Sequence, residues 1–209
     1  KYKYRKNQTM KRKKLFIKDG IRDETVLLNF QQTPEKEFTF YAEAYHQVAK
    51  EAVSVLEKNH RAGIPKLPID DFRAYPIVFL YRHALELYMK AVILVGAPIL
   101  EIKNVDKIDR NNLLDTHSLD SLRQKIEKVF EAFEWDWDLG TPQFKTLEDF
   151  CKIISELHQV DKGSSTFRYP LDKKGKASLP FNFEFNLVES CKTLDCLLPV
   201  LEGAIFAAY

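Results

Sequence analysis

The segment Tyr75–Gly96, YPIVFLYRHALELYMKAVILVG, constrains the fold more than any other part of the chain. Wound as an α-helix, it places its four strongly polar side chains, Arg82, His83, Glu86 and Lys90, within one arc of about 100°. The rest of its circumference is almost entirely Ile, Val, Leu, Tyr and Ala. A helix this apolar is the central element of a bundle rather than a surface element. Its charges are then either paired inside the fold or line a groove.

The flanking segments read as partners for that helix. A first helix is expected from about Pro34 to Asn59, with Pro34, Glu35 and Glu37 suiting its positive end. Phe38, Tyr41, Tyr45, Val48, Ala52, Val55 and Leu56 form its apolar stripe at steps of three and four. The stretch 63–71, with Pro65 and Pro68, reads as a loop. The central helix is expected to start near Tyr75-Pro76 and stop at Gly96-Ala97-Pro98, with a polar connection over 99–116. Further helices are expected over about 118–133, 143–160 and 182–208. The sum is an all-α, antiparallel four- to five-helix bundle over residues 36–209, with an elaborated stretch at about 135–181.

Residues 1–35 form a separate basic arm in this reading, with Val26–Phe30 as a short strand or packed extended segment. The formal net charge of the whole chain is +2, yet residues 1–22 carry ten Lys/Arg and one Asp. Lys11, Arg12, Lys13 and Lys14 are the densest run, and Tyr2 and Tyr4 are available for stacking on bases. The competing reading is a solvated arm, or one that docks on the protein's own acidic surface. No run reaches the roughly 18 apolar residues of a membrane span, and no signal-peptide core follows the basic start. Cys151, Cys191 and Cys196 are too few for a disulfide scaffold, which points to reduced thiols and a cytoplasmic setting.

The chain has no phosphate-cradling glycine loop, no HExxH and no GxSxG. Its five histidines lack the i, i+4 pairing of a helical metal site, so neither metal nor cofactor is expected. Three polar clusters remain. In the first, Arg82 to Glu86 and Glu86 to Lys90 are both i, i+4, so one carboxylate can bridge two cations. In the second, Arg110 and His117 frame Asn111–Thr116. A histidine can move a proton from a ribose 2′-hydroxyl while an arginine holds the scissile phosphate, which suffices for metal-free RNA cleavage. Equally, Thr116 or Ser118 can cap the following helix while His117 packs. In the third, Asp161–Pro170, Arg168 and Tyr169 can bind phosphate or a base, or fold back onto Glu86 or Asp161.

FLYRHALELYMKAVILVG followed by THSLDSL resembles the HEPN superfamily of prokaryotic helical domains. The residues that carry the resemblance are Ala84, Glu86, Leu87, Lys90, Ala91 and Gly96, then Thr116, His117 and Leu119. It covers roughly residues 36–208. The resemblance implies a helical bundle that often dimerises. It also implies an RNA-directed effector, a metal-independent endoribonuclease of a toxin–antitoxin, abortive-infection or other defence system. Its partners would be RNA, a second copy, and an antitoxin or other defence protein. Arg110-Asn111 through His117 matches the family's Arg, four to six residues, His motif, although here it spans a loop into a helix start. Arg82-His83, with Glu86, is then a competing catalytic set, joined by His117 and Arg168 from other segments, with Lys90, Arg168, Tyr169 and the arm's Lys11–Lys14 run as substrate contacts. Other members are non-catalytic binding partners, so a helical interaction module is the alternative.

Overall fold

The computed structural model describes residues 34–135 and 145–208, together with Val26 and Leu28, and only the backbone of residues 34–36. The expectations for the basic arm, the Val26–Phe30 segment, Phe144 and the Asp136-Trp137 turn lie outside the described residues. The chain divides into two compact units, Lys1–Gln32 and Thr33–Tyr209. In the first, Val26 and Leu28 are exposed.

The second unit is all-α. Six helices are described: α1 (Pro34–Arg61), α2 (Pro68–Ile102), α3 (Arg110–Asp115), α4 (Leu119–Phe133), α5 (Leu147–Val160) and α6 (Leu187–Ala207). Helix α2 packs against α1, α3, α4 and α6, and α5 packs on α4. Its interior residues Tyr81, Leu85, Met89, Val92 and Ile93 are sealed from solvent and meet Leu119, Leu122, Ile126 and Val129 of α4 and Leu197, Leu198 and Leu201 of α6 in one core. Among the described residues the only β pairing is an isolated antiparallel bridge, Leu171 to Ala177, and no helix is long and apolar enough to cross a membrane.

Helix α2 is longer at both ends than its apolar run suggests. It begins at Pro68, where a proline at the first helical position loses no hydrogen bond. The Asp70 carboxylate turns back to accept the Leu67 N–H at 2.8 Å. The helix then continues through Pro76 and Pro98. Pro76 deprives the Phe72 carbonyl of a partner, but Phe72 lies in a solvent-facing turn where water can replace the lost bond. The connection expected over 99–116 therefore contains the last turn of α2 and the whole of α3, and part of the loop expected over 63–71 is the first turn of α2.

Two smaller differences follow from packing. On α1, Tyr41, Val48 and Val55 of the expected stripe are exposed, whereas Ala42, His46, Ala49 and Val53 are buried. Small alanines on that face suit a close approach to α2. Helix α6 starts at Leu187 rather than near Asn182, because the Asn186 side chain caps it by accepting the Glu189 N–H.

Candidate functional site

The polar arc of α2 is buried, and its ion pairs run along the helix as the i, i+4 spacing predicts. Arg82, Glu86 and Lys90 have at most 3% of their surface exposed. Arg82 Nη1 donates to Glu86 Oε2 at 2.8 Å, and Lys90 Nζ donates to Glu86 Oε1 at 3.0 Å. Burial alone would raise the Glu86 pKa, but the Lys90 charge, with hydrogen bonds from Arg82, Lys90 and His117, outweighs it and leaves the carboxyl below its usual value. Glu86 is thus a buried carboxylate that stays charged.

These same side chains hold the link between α3 and α4. Helix α3 is capped by Asp109, whose carboxylate accepts the Asn111 and Asn112 N–H groups. Its C-terminal end carries carbonyls without intrahelical partners. Lys90 Nζ reaches one of them, donating to the Leu114 carbonyl at 2.9 Å. Arg82 Nη2 donates to the His117 carbonyl at 2.6 Å. Ser118 then caps α4 by accepting the Ser121 N–H. His117 is held at both its backbone and its ring, since Nδ1 lies 2.9 Å from Glu86 Oε1. A charged carboxylate there requires Nδ1 to carry the proton, so in the neutral ring Nε2 is the acceptor. The His117 side chain is 54% exposed. Of the two readings for this residue, capping falls to Ser118, and His117 faces solvent rather than packing.

A third contact of Arg82 reaches across the fold. Its Nε stands 3.0 Å from Asp161 Oδ2, close enough for an ion pair but not aligned as a hydrogen bond. Asp161 is itself fully buried, and its other oxygen accepts the N–H groups of Ser165 and Thr166. That fixes the turn after α5, in which Ser164 adopts a left-handed backbone with φ 57°. The Ser164 carbonyl accepts from Arg168 Nε. The Arg168 guanidinium lies 5.5 Å from the ring centres of both Phe79 and Tyr169. Phe79 stacks on His83 at 5.7 Å and 11°, and His83 also meets the edge of Tyr45. Burial pushes the His83 pKa down, with Glu86 opposing and Arg82, Lys90 and His117 adding to the fall. His83 is therefore neutral at physiological pH.

The sequence-derived candidates sort by this geometry. Arg82, expected to hold phosphate, has its guanidinium committed inside the protein and stands behind His117. Lys90, expected to touch substrate, is buried in the same way. Arg168 does not fold back onto Glu86 or Asp161: Arg82 takes Asp161, and Arg168 and Tyr169 remain on the surface. Arg110 is exposed at the first turn of α3, while the side chain brought against His117 is Glu86. The residue that sequence reasoning undervalued is Asp161. Its one local signal is an aspartate at a helix end followed closely by Gly-Ser-Ser-Thr, a composition that favours side-chain-to-backbone turns.

A second polar group crosses the core away from His117. Asp195 Oδ1 lies 2.7 Å from His46 Nε2 and accepts the Tyr81 hydroxyl at 3.0 Å. Burial pushes the Cys191 thiol up to about 12, with Asp195 adding to the rise, so it is a core hydrophobe. Among the described residues, no three His, Cys, Asp or Glu side chains gather as metal ligands. A broad groove of about 1320 Å³ runs between the end of α1, the start of α2 and residues 182–189, lined by Ile64, Leu67, Tyr75, Phe183 and Phe185. Comparison with family models, curated proteins and solved structures gives no match.

Proposed function

We propose that the protein is an RNA-directed effector of the HEPN type, a metal-independent endoribonuclease with His117 as its proton-transfer group. The observation that carries this reading is the pairing of His117 Nδ1 with the buried, charged Glu86, which leaves Nε2 as the basic atom of a half-exposed ring. In the proposed step Nε2 takes the proton of a ribose 2′-hydroxyl. The 2′-oxygen attacks the adjacent phosphorus, and the 5′-oxygen leaves and takes a proton from solvent, giving a cyclic phosphate and a 5′-hydroxyl. Arg168 and Arg110, both on the surface, are the guanidinium groups that would meet the phosphate. Glu86, Arg82 and Lys90 are positioning residues that orient the imidazole. A second copy of the chain is a further partner in this reading, and the exposed Phe40, Tyr41, Val48 and Val55 of α1 offer it an apolar face.

The test is cleavage of total RNA by purified protein in EDTA, wild type beside His117→Ala. Products with cyclic phosphate ends, absent with the variant, are the expected result. Equal cleavage by the variant would remove His117 from the mechanism.

A second reading rests on a different observation. Arg82, Glu86, Lys90 and Asp161 form a closed, buried set of two cations and two carboxylates, which is also what a purely structural lock looks like. In that case the protein is a non-catalytic helical interaction module. A folded wild type that leaves RNA intact would favour it.

A further inference from the structure

The turn after α5 leads into a short chain reversal, a ribbon closed by one antiparallel bridge and its flanking hydrogen bonds. Leu171 bridges to Ala177, the Asp172 N–H donates to the Lys176 carbonyl at 2.8 Å, and the Ser178 N–H donates to the Pro170 carbonyl at 3.0 Å. At the tip, the Asp172 carboxylate accepts the N–H groups of Lys174 and Lys176 at 2.8 and 2.9 Å. Gly175 takes the left-handed conformation, φ 75°, that closes the reversal. The turn is therefore built, and it displays Lys173, Lys174 and Lys176, all exposed. Between residues 162 and 181 the chain carries five cations and one acid, Asp172. No ion pair engages the three tip lysines among the described residues.

Aromatic rings flank the ribbon at its root. Tyr169 enters it with 56% of its surface exposed, and Phe181 leaves it with 95% exposed. Arg168 sits between the Tyr169 and Phe79 rings. Exposed lysines on a preformed turn, next to exposed aromatic rings, are the two ingredients of single-stranded nucleic-acid binding. The lysines neutralise phosphates without reading sequence, and the rings stack on unpaired bases.

We infer that the ribbon Pro170–Ser178, with Tyr169 and Phe181 at its root, is a strand-binding arm that holds single-stranded RNA beside His117. It rests on the ribonuclease reading for its role, but its binding can be measured without cleavage. The path from arm to proposed site runs through Arg168, which adjoins Tyr169 and lies over Phe79, then His83, on which Phe79 stacks, and then its chain neighbour Arg82, which donates to the His117 carbonyl.

The experiment is fluorescence anisotropy with a labelled 2′-O-methyl oligonucleotide, which lacks the free 2′-hydroxyl needed for cleavage, titrated across a range of salt concentrations. Wild type is compared with K173A/K174A/K176A, Tyr169→Ala and His117→Ala, and the single strand with its duplex. Loss of three phosphate contacts should make the slope of log affinity against log salt shallower by about 2. Tyr169→Ala should weaken single-strand binding by roughly tenfold or more with the slope unchanged, and Tyr169→Phe should restore it. His117→Ala, which keeps the three lysines, should retain the salt slope they supply. A triple variant with an unchanged slope would overturn the proposal, as would equal binding of strand and duplex. If these binding results hold while wild type cleaves nothing, the arm stands and the ribonuclease reading fails. If cleavage is lost in His117→Ala while the arm variants bind as wild type, the ribonuclease reading stands and the arm fails.

Discussion

The Nε of Arg82 stands 3.0 Å from Oδ2 of Asp161, and neither side chain reaches solvent. The same guanidinium touches Glu86 and the His117 carbonyl. One buried cation from α2 therefore ties together the loop that carries His117 and the loop that carries Arg168. Two surface groups from distant parts of the sequence are positioned from beneath by a residue that never meets the surface.

Replacing Arg82 with Met should cost roughly 3–5 kcal/mol, because the buried Asp161 would lose its countercharge and Glu86 Oε2 its donor. Urea unfolding measures this. Arg82→Lys restores the charge but not the three-way fork, so it should recover only part of the loss. A midpoint unchanged in Arg82→Met would show that the network contributes nothing to stability.

The acid limb of stability should report on Glu86. Its folded pKa lies below the ordinary value of 4.5, so the folded state favours the carboxylate. That contribution is complete above the unfolded pKa and is lost as the pH falls through the folded one. Wild type should exceed Glu86→Gln in stability near neutrality, and the gap should narrow as the pH falls below the ordinary carboxyl value of 4.5 and the protonated carboxyl comes to resemble the amide. Denaturant midpoints across that fall in pH measure it, and a constant gap would contradict the assignment.

Gly96 marks a close approach of α2 to α4. A Cβ at that position would stand 2.6 and 2.7 Å from the two Val129 methyl carbons. Valine is stiff about χ1 and cannot swing aside. Gly96→Ala should therefore destabilise by about 1–3 kcal/mol despite its better helix propensity. Combining it with Val129→Ala should cost less than the sum of the two single changes, measured as a double-mutant cycle.

Asp195→Ala should leave the His46 ring and the Tyr81 hydroxyl without their shared acceptor inside the fold. Each stranded polar group costs about 1–3 kcal/mol. Tyr81→Phe removes only one hydroxyl and keeps the His46 contact, so it should cost about 1 kcal/mol. Thermal melting compares the two, and equal losses would show that His46 does not depend on Asp195.

What can be read from the sequence is what depends on local spacing. The ladder Arg82–Glu86–Lys90 follows from i, i+4 geometry on an apolar helix, and the start of α4 follows from Ser118 before an apolar repeat. Burial of the core of α2 is legible for the same reason. The partners from elsewhere are not. Nothing local says that Arg82, rather than Arg168, reaches Asp161, because that choice depends on how α5 packs on α4. The early start of α2 is hidden by Pro76, which reads as a beginning but is tolerated well inside the helix. The ribbon at 171–177 carries a glycine and three lysines, and only the Asp172 turn distinguishes it from an ordinary solvated loop.

The groups of the proposed site emerge from the ribosome in a definite order: residues 82–90, then 114–117, then 161–168. A nascent chain that has delivered α1 to α4 holds two buried cations and a single carboxylate to neutralise them. The balance closes only with Asp161, and the loop bearing Arg168 takes its shape from the same residue. A chain that ends before Asp161 thus holds the His117–Glu86 pair but lacks both the second carboxylate and the loop that presents Arg168.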